Sequence, residues 1–205
     1  MCIRDSGNGA LRAADLQITA ANGGGTFILP DLSQNNIIAQ NTTTTVDIEA
    51  GSLVVERNTF LGNDGNGNLT FTLSGGVAQF NDDVGIGRDE ATTLVTISGG
   101  VFNIDGVLSF DVPGAANGDR PGFGTIDFTD GSTGSLTVAG ADAATFEAFF
   151  DAGDITFDGG AAGTFSELFQ VSGSTLSVVT TAVPEPSSLA LLGLGALGLM
   201  SRRRK

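Results

Sequence analysis

The feature that most constrains this chain is internal similarity at a spacing of about 24 residues. Three stretches align without gaps, Ile48–Gly62, Leu73–Gly87 and Ile97–Asp111, at offsets of 25 and 24. Read down the alignment, columns keep their chemistry: Val46, Phe71 and Val95; Ile48, Leu73 and Ile97; Gly51, Gly76 and Gly100; Val55, Phe80 and Ile104; Leu61, Ile86 and Phe110. Apolar positions recur on apolar positions, and glycine recurs on glycine. A degenerate copy is expected at Ile126, Phe128 and Gly131, offset by 31, and a weaker one at Leu16 and Ile18. The extra residues of the later copy fit a loop through Pro113, Asn117, Asp119 and Pro121.

Within a copy the apolar period is two, most clearly in Leu69-Thr70-Phe71-Thr72-Leu73, and β-branched or aromatic residues fill the apolar positions. Each copy therefore reads as three short strands separated by glycine or Asn/Asp turns, for instance Leu69 to Leu73, Val77 to Phe80 and Val84 to Ile86. That is one coil of a parallel β-helix, right-handed by the crossover preference of parallel strands. A single coil cannot bury enough apolar surface to offset the ordering of its backbone. Neighbouring coils must supply both hydrogen bonds and core. An antiparallel β-sandwich with evenly spaced turns is the competing fold. A leucine-rich repeat has a similar period, but its Leu-Asn signature and connecting helix are missing.

A stack of coils needs covered ends. Asp142 is placed to cap a short helix in which Phe146, Phe149 and Phe150 fall at i, i+3 and i+4, with Gly153 as its stop. Ile155 to Phe157 and Leu176 to Val179 follow as terminal strands. The expected organisation is residues 1–6 as a non-native leader, 7–140 as the repeat body, 141–182 as the cap and 183–205 as a separate tail. The opening, Met-Cys-Ile-Arg-Asp-Ser, resembles the short leaders of translated metagenome fragments. On that reading the true amino terminus and its export signal are missing.

Composition excludes several functions. The chain has no His, so imidazole bases, Ser-His and Cys-His pairs and the usual zinc sites have no candidate. Its only Lys is Lys205. Residues 1–183 hold five Arg against 22 acids, a formal charge of −17, which repels phosphate backbones and argues against nucleic-acid binding. Gly62-Asn-Asp-Gly-Asn-Gly-Asn68 and Asn81-Asp-Asp83 carry hard oxygen donors on turns. They match neither calcium-loop spacing, and they are first of all turn formers. No cofactor is expected, with millimolar-range calcium binding as the upper bound. Asp82 and Asp83 invite comparison with polygalacturonases and lyases, yet the Gly-His-Gly element and clustered basic residues those enzymes use are missing, so no enzyme activity is expected.

The tail runs Val183-Pro-Glu-Pro-Ser-Ser, then twelve residues from Leu189 to Met200, then Arg202, Arg203, Arg204 and Lys205. Its apolar segment is carried by Leu189, Leu191, Leu192, Leu194, Leu197, Leu199 and Met200. As a helix it would be about 18 Å long against a hydrocarbon core of about 30 Å, a poor permanent span. The terminal cations would hold its end on the cytoplasmic side.

This order of elements resembles the PEP-CTERM sorting signal of exported bacterial proteins, with Pro184, Glu185 and Pro186 as the signature triplet. The resemblance covers the last 23 residues and implies exosortase as partner, a transient inner-membrane anchor, removal of the tail, and delivery to the cell surface or the extracellular polysaccharide matrix. More loosely, the body resembles β-helical autotransporter passengers. The expected function is a noncatalytic structural or adhesive surface protein; the alternative is a carbohydrate-binding or carbohydrate-active β-helix protein, with polysaccharide as the further partner, and the absence of Trp and Tyr, the usual sugar-stacking side chains, favours the first.

Overall fold

The computed structural model describes residues 10–11, 15–19, 24–29, 36–40, 42–113 and 120–179. They form a parallel β-solenoid of five coils, each contributing one strand to each of three sheets. The coils are β1 (Ala10–Leu11), β2 (Asp15–Ile18), β3 (Thr26–Leu29); β4 (Asn36–Gln40), β5 (Thr44–Ile48), β6 (Ser52–Val55); β7 (Thr59–Asn63), β8 (Leu69–Leu73), β9 (Val77–Phe80); β10 (Val84–Arg88), β11 (Thr92–Ile97), β12 (Val101–Ile104); and β13 (Leu108–Val112), β14 (Phe123–Phe128), β15 (Ser135–Val138). Sheet A takes the first strand of each coil, sheet B the second and sheet C the third. The sandwich alternative is thereby excluded, since every strand-to-strand pairing between the five coils is parallel.

Period-two burial follows from strand geometry, because successive side chains point to opposite faces. In β8 Leu69, Phe71 and Leu73 are buried while Thr70 and Thr72 face outward. Parallel pairing then stacks like on like. Leu16, Val46, Phe71, Val95 and Ile126 are in register across sheet B, and all are buried. The degenerate copies at Leu16 and Ile126 thus belong to the same ladder as the clear ones. In sheet C, Phe102 pairs with Ala78, whose small side chain leaves room for the ring. Phe102 meets Phe71 edge-on at 5.5 Å and stacks on Phe80 at 5.0 Å, so one aromatic cluster ties sheets B and C together.

Corners decide how closely coils approach. Between sheets B and C, Gly51, Gly76 and Gly100 adopt φ of 84°, 69° and 74°. A Cβ on Gly76 would lie 2.5 Å from the Gly51 carbonyl oxygen, and one on Gly100 2.7 Å from that of Gly76. The glycines are therefore required twice, by backbone angle and by contact with the coil beneath. Val77 N–H donates to Gly51 O at 2.9 Å and Val101 N–H to Gly76 O at 3.0 Å, so the corner continues the ladder.

Beyond the fifth coil, α1 (Ala143–Ala152), β16 (Ile155–Phe157), α2 (Phe165–Leu168), β17 (Phe169–Ser172) and β18 (Thr175–Val178) close the end. The Asp142 carboxylate accepts the Thr145 N–H at 2.9 Å, and Gly153 ends α1 at φ 85°. Phe146 is buried, and Phe149 meets Phe110 of β13 at 5.1 Å. β16 extends sheet B in parallel, whereas β18 pairs antiparallel to β15 and β17 antiparallel to β18. That reversal stops the parallel repeat. The expected cap is thus present with two elements more than the sequence reading gave it.

Candidate functional surfaces

The Asn/Asp turns are occupied by links between coils. At the corner from sheet C to sheet A, Asp83 Oδ1 accepts the Val107 N–H of the next coil at 2.8 Å, and Asn81 Nδ2 donates to Glu56 Oε2 of the previous coil at 3.1 Å. With its amide turned to donate, Asn58 Nδ2 lies 2.8 Å from both Asp82 carboxylate oxygens. Asp82 and Asp83 therefore point to different partners and serve different coils. In the other turn, Asn68 Oδ1 accepts the Thr92 N–H at 3.1 Å, and Gly67 N–H donates to Asp64 O at 2.6 Å. Among the described residues, no group of three or more His, Cys, Asp or Glu is placed to hold a metal ion.

Near the end of the sheet A strands, one residue before each strand stops, runs a column with no counterpart among the expected corner glycines. Ala39, Gly62, Gly87 and Asp111 follow the registered residues Ile38, Leu61, Ile86 and Phe110, and all four have positive φ, from 52° to 77°. Asp111 tolerates this conformation because its Oδ1 accepts the Gly124 N–H at 2.7 Å. Nearby, burial pushes the Asp154 carboxyl above the ordinary carboxylate value of 3.8, and the Asp111 carboxylate adds to that shift. The signal for this column was present in sequence, since Gly62, Gly87 and Asp111 end the three aligned stretches.

The outer faces of the sheets differ. On sheet A, Arg88 lies over the Phe60 ring at 4.2 Å, and a Cβ on Gly85 would meet that ring at 2.8 Å, so side chains cover this face. Sheet B is open and rich in hydroxyls: Thr45, Thr70, Leu94 and Thr125 form one outward column, and Asp47, Thr72, Thr96, Asp127 and Thr156 another. Asp127 Oδ1 accepts the Thr156 hydroxyl at 2.7 Å and the Gly159 N–H at 3.0 Å. Phe123, opposite Thr92, is 62% exposed and Leu94 is 41% exposed. Phe123 carries no repeat signal of its own, yet counting in twos back from the buried pair Phe128 and Ile126 places it outward.

Pro184 to Pro186, the apolar segment Leu189 to Met200 and the cations Arg202 to Lys205 lie outside the described residues. No helix among the described residues is long and apolar enough to cross a membrane. Residues 182–205 match the PEP-CTERM protein-sorting motif. No curated protein matches the chain, and no solved structure matches it. The motif implies an exported protein, sorted at the membrane through its tail and processed by exosortase.

Proposed function

We propose that the protein is a noncatalytic structural or adhesive module, released from its tail by exosortase and retained at the cell surface or in the extracellular matrix. The observation carrying this reading is the use made of the acidic turns. Asp82, Asp83, Glu56 and Asn58 spend their polar atoms on bonds between coils, which favours a stiff rod over an open catalytic cleft. A β-solenoid held by ladders along its whole length suits load-bearing or display. The acidic, lysine-poor body also stays soluble among anionic polymers, from which like charge keeps it apart.

A carbohydrate-active role would rest on Asp111, whose Oδ1 accepts the Gly124 N–H, and on Asp154, whose carboxyl is raised first by burial and then by the Asp111 charge. The test uses the purified full chain in mild detergent with neutral and acidic polysaccharides. The proposed function expects no new reducing ends above a heat-treated control after prolonged incubation. Turnover that disappears in Asp154→Asn would replace it with the catalytic reading.

A further inference from the structure

We infer that the outward face of sheet B binds an extended, neutral polysaccharide laid across coils three to five. The inference deepens the adhesive reading and rests on it. Outward side chains repeat at about 6.6 Å along a strand and about 4.8 Å from coil to coil, so the hydroxyls of Thr70, Thr72, Thr96 and Thr125 stand on a fixed grid. Threonine is stiff at χ1, and ordering these groups on binding costs little. Their spacing between coils is close to the length of one sugar ring in an extended chain.

Phe123 and Leu94 supply what hydroxyls lack. They lie diagonally across β11 and β14, and the Phe123 N–H donates to Ala91 O at 2.8 Å, which fixes the ring's base. Sugar rings have apolar C–H faces edged by hydroxyls, and an exposed aromatic beside hydroxyl donors is complementary to both. Phenylalanine has no polar tip of its own; here Thr92 and Thr125 stand beside it. Strand propensity accounts for threonines on an outer face. Ile28 and Val107 are exposed singly elsewhere, but on sheet B two large apolar side chains, 62% and 41% exposed, stand together on neighbouring strands among the threonines.

Charge selects the class of polymer. Residues 1–183 carry −17; on sheet B the column of Thr45, Thr70, Leu94 and Thr125 is uncharged, and the column beside it sets Asp47 and Asp127 among Thr72 and Thr96 with no cation between them. An anionic polysaccharide would be repelled as it approached, whereas a neutral one would not.

The test is affinity electrophoresis of the full chain in mild detergent, in gels containing hydroxyethylcellulose, a neutral galactomannan or alginate. Retardation is expected in a neutral gel and not in alginate. Phe123→Ala and Leu94→Asp, both at exposed positions, should each weaken it by about fivefold or more. Val107→Ala, 65% exposed on a corner away from this face, should leave it unchanged. Absence of retardation in both neutral gels overturns the inference, as does retardation equal in wild type, Phe123→Ala and Leu94→Asp, or retardation by alginate alone. Failure here leaves the noncatalytic reading standing, while new reducing ends in the gel would remove that reading even if the face binds.

Discussion

Two glycines with the same backbone angle have different duties. Gly76 and Gly131 have φ of 69° and 70°, yet a Cβ at Gly76 would strike the coil beneath and one at Gly131 would meet nothing within 4 Å. Gly131→Ala should cost only the left-handed strain, about 1 kcal/mol, and Gly76→Ala about 3 kcal/mol or more, compared by urea denaturation. Equal losses would mean that corner contact between coils is not what selects glycine. Phe102→Ala should cost about 3–5 kcal/mol, since the ring is fully buried and joins Phe71 and Phe80 across two sheets. These roles were readable in part. Recurrence of Gly51, Gly76 and Gly100 at one column marked a corner, whereas the Ala39, Gly62, Gly87 and Asp111 column hid its nature, because Ala39 and Asp111 adopt the glycine conformation without being glycine.

At the level of single elements, α1 was legible because its signals are local: an acidic N-cap, an i, i+3, i+4 phenylalanine stripe and a glycine stop. α2 was missed although Thr164-Phe-Ser-Glu167 has the spacing of a capping box, and Glu167 Oε2 does accept the Thr164 N–H at 2.9 Å. At four residues it shows no periodicity to find. β17 was missed for a different reason: Phe169-Gln-Val-Ser172 is only four residues long, it follows α2 directly, and its partner is β18 alone, outside the repeat. The cap also predicts a pH response. Bonds from the Thr145 backbone and hydroxyl hold Asp142 below its ordinary value of 3.8, so its ionised form favours the folded state. That contribution is complete above 3.8 and is lost as pH falls through the lowered folded value. Thr164 lowers Glu167 in the same sense. Asp154 runs opposite: its raised folded value means the ionised form opposes folding, and acidification through that value relieves the penalty. Amide exchange in α1 should accelerate relative to β12 as pH drops from about 5 to about 2.5, after correction for intrinsic rates. Asp142→Asn, which keeps a capping oxygen without the titration, should blunt that change. An identical profile in the variant would show that other carboxylates set the acid response.

For the molecule as a whole, repetition made the fold readable because parallel stacking converts a spacing in sequence into contacts between like residues. Offsets of 25, 24 and 31 reappear as the registers Val46 to Phe71, Phe71 to Val95 and Val95 to Ile126. What repetition could not disclose is which outer face stays bare, since that depends on side chains from neighbouring coils, such as Phe60 lying over Gly85 on sheet A. The tail was readable for another reason: an enzyme must recognise it as linear sequence, so its elements sit together in the 24 residues of the sorting motif. Replacing Pro184, Glu185 and Pro186 with alanine should therefore leave the solenoid unaltered and block release, visible as membrane-bound full-length chain on fractionation. The most direct measurement is the intact mass of the protein isolated from its native host, with and without its exosortase. Exosortase processing predicts a chain lacking Arg202 to Lys205 outside the cytoplasm in the wild type and an uncleaved chain at the membrane in the deletion strain. A full-length carboxyl end on cytoplasmic protein, indifferent to the deletion, would contradict it.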